Sequence, residues 1–294
     1  METGLKNSLE DKFCQVSRRD PNQTIVQDAL SRLANEGEFL LKTGRHHWVK
    51  KRIDELNHKS NWPAYSMEVH LTYILEKNGL STQNSKKLIP GDASDVDIIV
   101  SPVNGIEVRI ECVYTAEPES FWQDYPPSES GIQFFEACYQ GTELEDLFRK
   151  VQDKIRLKTV KNGGPHKFPI PNEGTVHLIV ADVSEGIGFP MDDSDLDLIC
   201  LGKKCLPAEM RMDVLGLYES TNILGSRFES EFEANKYLRE RVHGIIFLVD
   251  RSSWHSPFNP NYQCQDRFNP ILPMNPAQQA ACDSILQAMR KLGQ

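Results

Sequence analysis

Residues 94–114 read SDVDIIVSPVNGIEVRIECVY, two β-branched runs joined by Asn104-Gly105 and carrying carboxylates inside them. Alternation sets Asp95, Asp97 and Ile99 on one face of the first run, with Val96, Ile98 and Val100 on the other. In the second run Glu107, Arg109, Glu111 and Val113 share a face, opposite Ile106, Val108, Ile110 and Cys112. Asn-Gly tolerates positive φ at both positions and predicts a tight hairpin turn. The pair is therefore expected to be antiparallel, with Asp97 and Glu111 close together on one face. Glu111 is flanked by Ile110, Cys112 and Val113, an apolar setting that a carboxylate does not occupy for solubility alone. Two neighbouring carboxylates on a rigid sheet repel unless a cation lies between them, and hard oxygen ligands suit Mg²⁺ or Mn²⁺. The bland alternative is an ordinary hairpin with one wet face.

Upstream, residues 63–78 have Met67, Leu71, Ile74 and Leu75 at helical spacing, Glu68 in the second turn and Gly79 just past the end. Downstream, TELEDLFRKVQDKIRLKTVK predicts a second helix whose buried stripe is Leu144, Leu147, Phe148, Val151 and Ile155. GTVHLIVADV, residues 174–183, has the composition of a central strand. The order is helix, two or three strands, helix, strand.

In this order and spacing the chain resembles the PD-(D/E)XK nuclease superfamily, the restriction-endonuclease-like fold. The resemblance rests on Glu68 in the first helix, Asp97 and then Ile110-Glu111-Cys112-Val113 on the paired strands, a crossover helix bearing Lys150, Gln152 and Lys154, and the strand near Val176 to Val183. It covers about residues 65–183. It implies an α/β core with a mixed β-sheet flanked by helices, and Asp97 and Glu111 as ligands of Mg²⁺ or Mn²⁺. It also implies a lysine two residues after the glutamate that positions or activates the attacking water. That position is Val113 here. Members are known in which the lysine has moved to a neighbouring element, and Lys150, Lys154 and Arg109 are the candidates to supply it, with Glu68 orienting a metal-bound water and Gln152 supporting the site. A second register, with Glu107 and Arg109 as the acidic-x-basic pair, lies nearer the turn. The implied activity is metal-dependent hydrolysis of DNA phosphodiester bonds, with RNA left open, in bacterial defence or DNA processing. The rival is a catalytically degenerate nuclease fold serving as a structural or nucleic-acid-binding subunit.

Composition sets limits. The chain has 294 residues, 39% of them hydrophobic, enough for a sizeable core, and no apolar run long enough to span a membrane. Met1 to Arg19 lacks a signal-peptide core, so a cytoplasmic protein is expected. Seven cysteines without close pairs predict free thiols, and Cys200-x4-Cys205 is too loose for zinc. The formal charge of −9 is uneven: residues 42–59 hold six Lys/Arg against two acids and residues 149–167 seven against one, which leaves −19 for the rest. Such focusing suits local phosphate engagement, although two amphipathic helices with basic outer faces would look the same.

The remaining expectations are structural. Residues 1–60 form an N-terminal helical appendage, helical from about Thr24 to Leu56, with His46 and His47 as surface histidines. Residues 61–252 form the core, and 253–294 a C-terminal wrap and helix. Residues 184–204 are expected to be irregular, with Asp192, Asp193, Asp195 and Asp197 in a solvated loop. Residues 228–240 predict a polar helix and Gly244–Asp250 a buried strand beside the one near Val180. Residues 252–273 should wrap the surface before a last helix capped by Asn275-Pro276. A homodimer or a partner protein is left open. No glycine-rich phosphate loop, nucleophile elbow or His-Glu-x-x-His pair is present.

Overall fold

A computed structural model describes residues 2–16, 24–58, 61–89, 95–115, 142–183, 191–202, 213–222, 224–250 and 262–292. In chain order the elements are α1 (Glu2–Val16), α2 (Thr24–Lys42), α3 (His46–Asp54), α4 (Asn61–Lys77), β1 (Thr82–Lys86), β2 (Val96–Val103), β3 (Ile106–Tyr114), α5 (Thr142–Arg156), β4 (Val160–Lys161), β5 (Gly164–Pro165), β6 (Thr175–Asp182), α6 (Asp193–Leu201), α7 (Glu229–Ala234), α8 (Lys236–Arg241), β7 (Gly244–Asp250), β8 (Tyr262–Phe268) and α9 (Pro276–Met289). The chain is α/β: a six-stranded mixed sheet, ordered β1-β2-β3-β6-β7-β8, is flanked by helices. No described helix is long and apolar enough to cross a membrane.

The quoted stretch forms the predicted hairpin. Asn104 and Gly105 take φ of 55° and 83°, and β2 and β3 pair antiparallel through Ile98↔Ile110 and Val100↔Val108. Pro102, which cannot donate to the ladder, falls where the register shifts between Val100 and Val103. β3 then pairs in parallel with β6, and β6 in parallel with β7, after the crossover through α5. β6 is buried along its whole length, as a strand covered on both faces must be.

Two cores sandwich the sheet. On one face Met67, Leu71, Ile74 and Leu75 of α4 and Ile285, Leu286 and Met289 of α9 pack against Ile98, Val100, Ile110 and Cys112. On the other, Phe148, Val151 and Ile155 of α5 and Leu196, Ile199 and Cys200 of α6 pack against Ile99, Val113, Ile179 and Phe247. Val96, at the start of β2, joins this second core rather than the face shared by Ile98 and Val100, so alternation fails at that strand end. A third cluster joins α1, α2 and α3 to Trp62, Tyr65 and Val69 of α4. α4 therefore buries opposite sides against sheet and helices, which is why it is apolar nearly all round.

Four expectations are corrected. The helix expected from Thr24 to Leu56 breaks at Gly44, whose φ is 92°, into α2 and α3 plus a 3-10 turn at Glu55–Asn57. The acidic loop is in part the helix α6: Asp192 caps it reciprocally with Asp195, and Asp193 and Asp197 pair with Arg267. The expected wrap contains β8, antiparallel to β7 and polar enough to close the sheet edge without inviting another strand. The polar helix of 228–240 is two short ones, α7 and α8. Asn275 caps α9 through a reciprocal bond with Gln278, with Pro276 in the first turn. Cys14, Cys112, Cys200, Cys264 and Cys282 form no disulfide among the described residues; Cys138, Cys205 and Leu144's side chain lie outside them.

Candidate active site

The register of β2 and β3, carried one residue beyond Ile98↔Ile110, sets Asp97 beside Glu111. Glu111 is wholly buried and the Asp97 side chain is 13% exposed. Asp97 Oδ2 accepts the Cys112 backbone N–H at 2.8 Å, so the sheet itself orients one carboxylate of the pair.

Two ammonium groups meet this pair. Lys158 Nζ lies 2.8 Å from Glu111 Oε1, and Lys167 Nζ bonds the same oxygen while standing 3.9 Å from Asp97 Oδ1. Lys158 sits in the turn that follows α5. Lys167 follows the β4–β5 hairpin with φ at 60°, a left-handed conformation that costs an L-residue about 1–2 kcal/mol. A lysine kept there must be held by its surroundings, and its ion pair with Glu111 is part of that hold.

The third carboxylate comes from α4. Glu68 is buried and bonds Arg52 of α3, whose Nη1 also donates to Glu55 at 3.0 Å. Burial, the Asp97 charge and, less strongly, Glu111 push the Glu68 carboxyl up to about 8, against the pull of Arg52. Burial and Asp97 likewise push Glu111 up to about 7, against Lys158 and Lys167. Burial would raise Asp97 too, but Lys167 and Lys158 hold it below the ordinary carboxylate value. Burial opposes the charge of Lys158, and Glu111 and Asp97 more than restore it.

Among the described residues no donor reaches the buried Glu111 Oε2, an arrangement that costs about 1–3 kcal/mol unless something coordinates it. Among the described residues no group of three or more His, Cys, Asp or Glu side chains is arranged to hold a metal. Two carboxylates with waters and phosphate oxygens completing the shell are nevertheless what Mg²⁺ commonly takes, and the orphaned oxygen of Glu111 beside Asp97 fits that pattern.

Of the residues singled out from sequence, the fold brings Glu68, Asp97 and Glu111 together. Lys150 is exposed on α5, and Lys154 is half-buried one turn further on. Gln152 is buried, and its Nε2 donates at 2.8 Å to the carbonyls of both Ile199 and Leu215. Arg109 pairs with Glu107 at 2.6 Å and meets His177, so the register nearer the turn forms its own ion pair. Sequence reasoning missed Lys158, Lys167 and Arg52 as individuals. The signal that contained them was the charge map, since Arg52 lies in the basic stretch 42–59 and both lysines in 149–167. No protein-family model, no curated protein and no solved structure matches the chain.

Proposed function

We propose that the chain is a divalent-metal-dependent nuclease that hydrolyses DNA phosphodiester bonds on a restriction-endonuclease-like core. The observation that carries this reading is the convergence of Lys158 and Lys167 on the buried Asp97–Glu111 pair, which supplies the cation that Val113 lacks. The order α4, β1–β3, α5, β6, with the acids on an antiparallel pair and β6 added in parallel after the crossover helix, supports the core assignment.

Asp97 and Glu111, with Oε2 facing no donor among the described residues, would hold Mg²⁺ or Mn²⁺, which would supply a nucleophilic water at neutral pH and neutralise phosphate charge. Lys158 and Lys167 then place positive charge beside the same pair, where the pentavalent phosphate develops negative charge. Glu68, held by Arg52, offers an acceptor that orients the attacking water. Gln152 acts through the fold by fixing α5, and the cation role assigned from sequence to Lys150 and Lys154 passes to Lys158 and Lys167.

One observation favours a second reading, a degenerate scaffold that binds without cutting. Arg52 already pairs with Glu68, and Lys158 and Lys167 with the Asp97–Glu111 pair, without any metal. Calorimetric titration of Mg²⁺ and Mn²⁺ into the wild type and Asp97→Ala, beside a plasmid-nicking assay with an RNA of similar length as competitor, separates the two. The nuclease reading expects metal binding that is lost in Asp97→Ala, and nicking that falls about 10²–10³-fold in Lys158→Ala or Lys167→Ala. Neither binding nor nicking in the wild type would leave the scaffold.

A further inference from the structure

Between the two site lysines the chain makes a short hairpin. Val160↔Pro165 and Lys161↔Gly164 pair, the His166 N–H bonds the Thr159 carbonyl at 2.9 Å, and Asn162 and Gly163 turn with φ of 53° and 74°. That register, continued outward, sets Lys158 opposite Lys167, so the base of the hairpin is bolted to Glu111 from both strands. Helix α8 braces it: Tyr237 Oη donates to the Gly163 carbonyl at 3.0 Å, and Arg241 donates to the Phe168 carbonyl at 2.8 Å. The tip, Lys161-Asn162-Gly163, is exposed.

The shoulders of this hairpin are apolar and bare. Leu157, which precedes Lys158, is 64% exposed, and Ile170, three residues after Lys167, is 70% exposed. The remaining exposed large apolar side chain among the described residues, Ile271, is 42% exposed. Isolated exposed apolar residues are ordinary, but here the two barest stand one and three positions along the chain from the two lysines of the site.

We propose that the β4–β5 hairpin with Leu157 and Ile170 is a wedge that packs against unpaired bases beside the scissile phosphate, so that the preferred substrate is a forked or frayed duplex rather than a continuous one. This deepens the nuclease reading and rests on it. An apolar side chain that enters a continuous duplex must unstack a base step at a cost of about a few kcal/mol, so beside a phosphate-binding site it favours a substrate whose bases are already unpaired. Leu and Ile are wedge residues of that kind, and the lysines hold the backbone within a residue or a few of them. Lys161 at the tip adds a phosphate contact on a rigid support.

The test is fluorescence anisotropy with a labelled forked duplex and a fully paired duplex of equal length, in Ca²⁺, on the wild type and on Leu157→Ser/Ile170→Ser. The fork is expected to bind the wild type about tenfold more tightly, the worth of about one stacked base. That preference should vanish in the double variant while its calorimetric metal binding stays unchanged. Both side chains are exposed, so the variant is expected to fold, and a thermal melt checks that it does. Equal affinity for the two duplexes, or a preference that survives in the double variant, overturns the wedge and leaves the nuclease reading intact. A dimer that dissociates in the double variant also overturns it, by assigning the patch to a protein contact. Absence of both metal and DNA binding sinks the nuclease reading and the wedge with it.

Discussion

Glu68 and Glu111 titrate upward from 4.5, to about 8 and about 7, because burial first and then neighbouring negative charge disfavour their ionised forms. A carboxyl raised in the folded chain contributes stability that is full below its unfolded value and is lost as pH rises through the folded one. These two therefore withdraw stability between about pH 4.5 and about pH 8. Asp97 has the opposite sign: held below 3.8, it contributes above that value and loses its share only as pH falls through its folded pKa. In EDTA the melting temperature is expected to decline from about pH 5 to about pH 8, and saturating Mg²⁺ to restore more at the upper end, because the ion binds deprotonated carboxylates. A flat profile in both conditions would sink the assignment of these charges. The acids were legible at this scale because carboxylates inside β-branched runs stand out against their neighbours. The lysines were not: Lys158 and Lys167 are 47 and 56 residues from Glu111, and no local pattern marks a turn residue whose ammonium crosses to a strand.

Elements divide along the same physical line. β2, β3, β6 and β7 were readable since buried strands are β-branched and turn residues bound them, and α4, α5 and α9 since their apolar positions recur at helical spacing. β8 hides because an edge strand exposes one side, so its Gln263, Gln265, Asp266 and Arg267 read as loop. α6 hides because its acids serve the N-terminus, where Asp192 and Asp195 exchange capping bonds, while Leu196, Leu198, Ile199 and Cys200 carry its burial. Gln152 shows how packing reassigns a residue. One turn of α5 places it where its amide bridges the carbonyls of Ile199 and Leu215, docking α5 to the end of α6 and to the following segment. Gln152→Leu keeps the volume but takes the side-chain donor from two buried carbonyls, of which that of Ile199 still accepts the Leu217 N–H at 3.0 Å. It is expected to cost about 1–3 kcal/mol in a urea melt while the folded fraction nicks plasmid at the wild-type rate. Lost nicking at unchanged stability would return Gln152 to the site.

On the scale of the whole molecule, the uneven charge acquires a geometry. The first basic stretch sends Arg52 inward to Glu68 and leaves His46, His47, Lys50 and Lys51 exposed on α3. The second sends Lys158 and Lys167 to Glu111 and leaves Lys161 exposed at the hairpin tip. Both stretches thus reach one carboxylate cluster from different elements, with positive charge exposed behind each contact and −19 over the rest of the chain. A field of that shape attracts a polyanion toward the cluster and repels it elsewhere, so duplex affinity should fall steeply with salt. Each Lys–phosphate contact contributes a slope of about −0.9 in log K against log salt. Lys50→Ala/Lys51→Ala is therefore expected to flatten the slope by about 2 and to weaken duplex binding, with calorimetric Mg²⁺ binding untouched because neither lysine contributes to the Asp97–Glu111 ion pairs. An unchanged slope in that variant would mean that α3 faces away from the bound strand, and the nucleic acid would then have to approach over the β4–β5 hairpin alone.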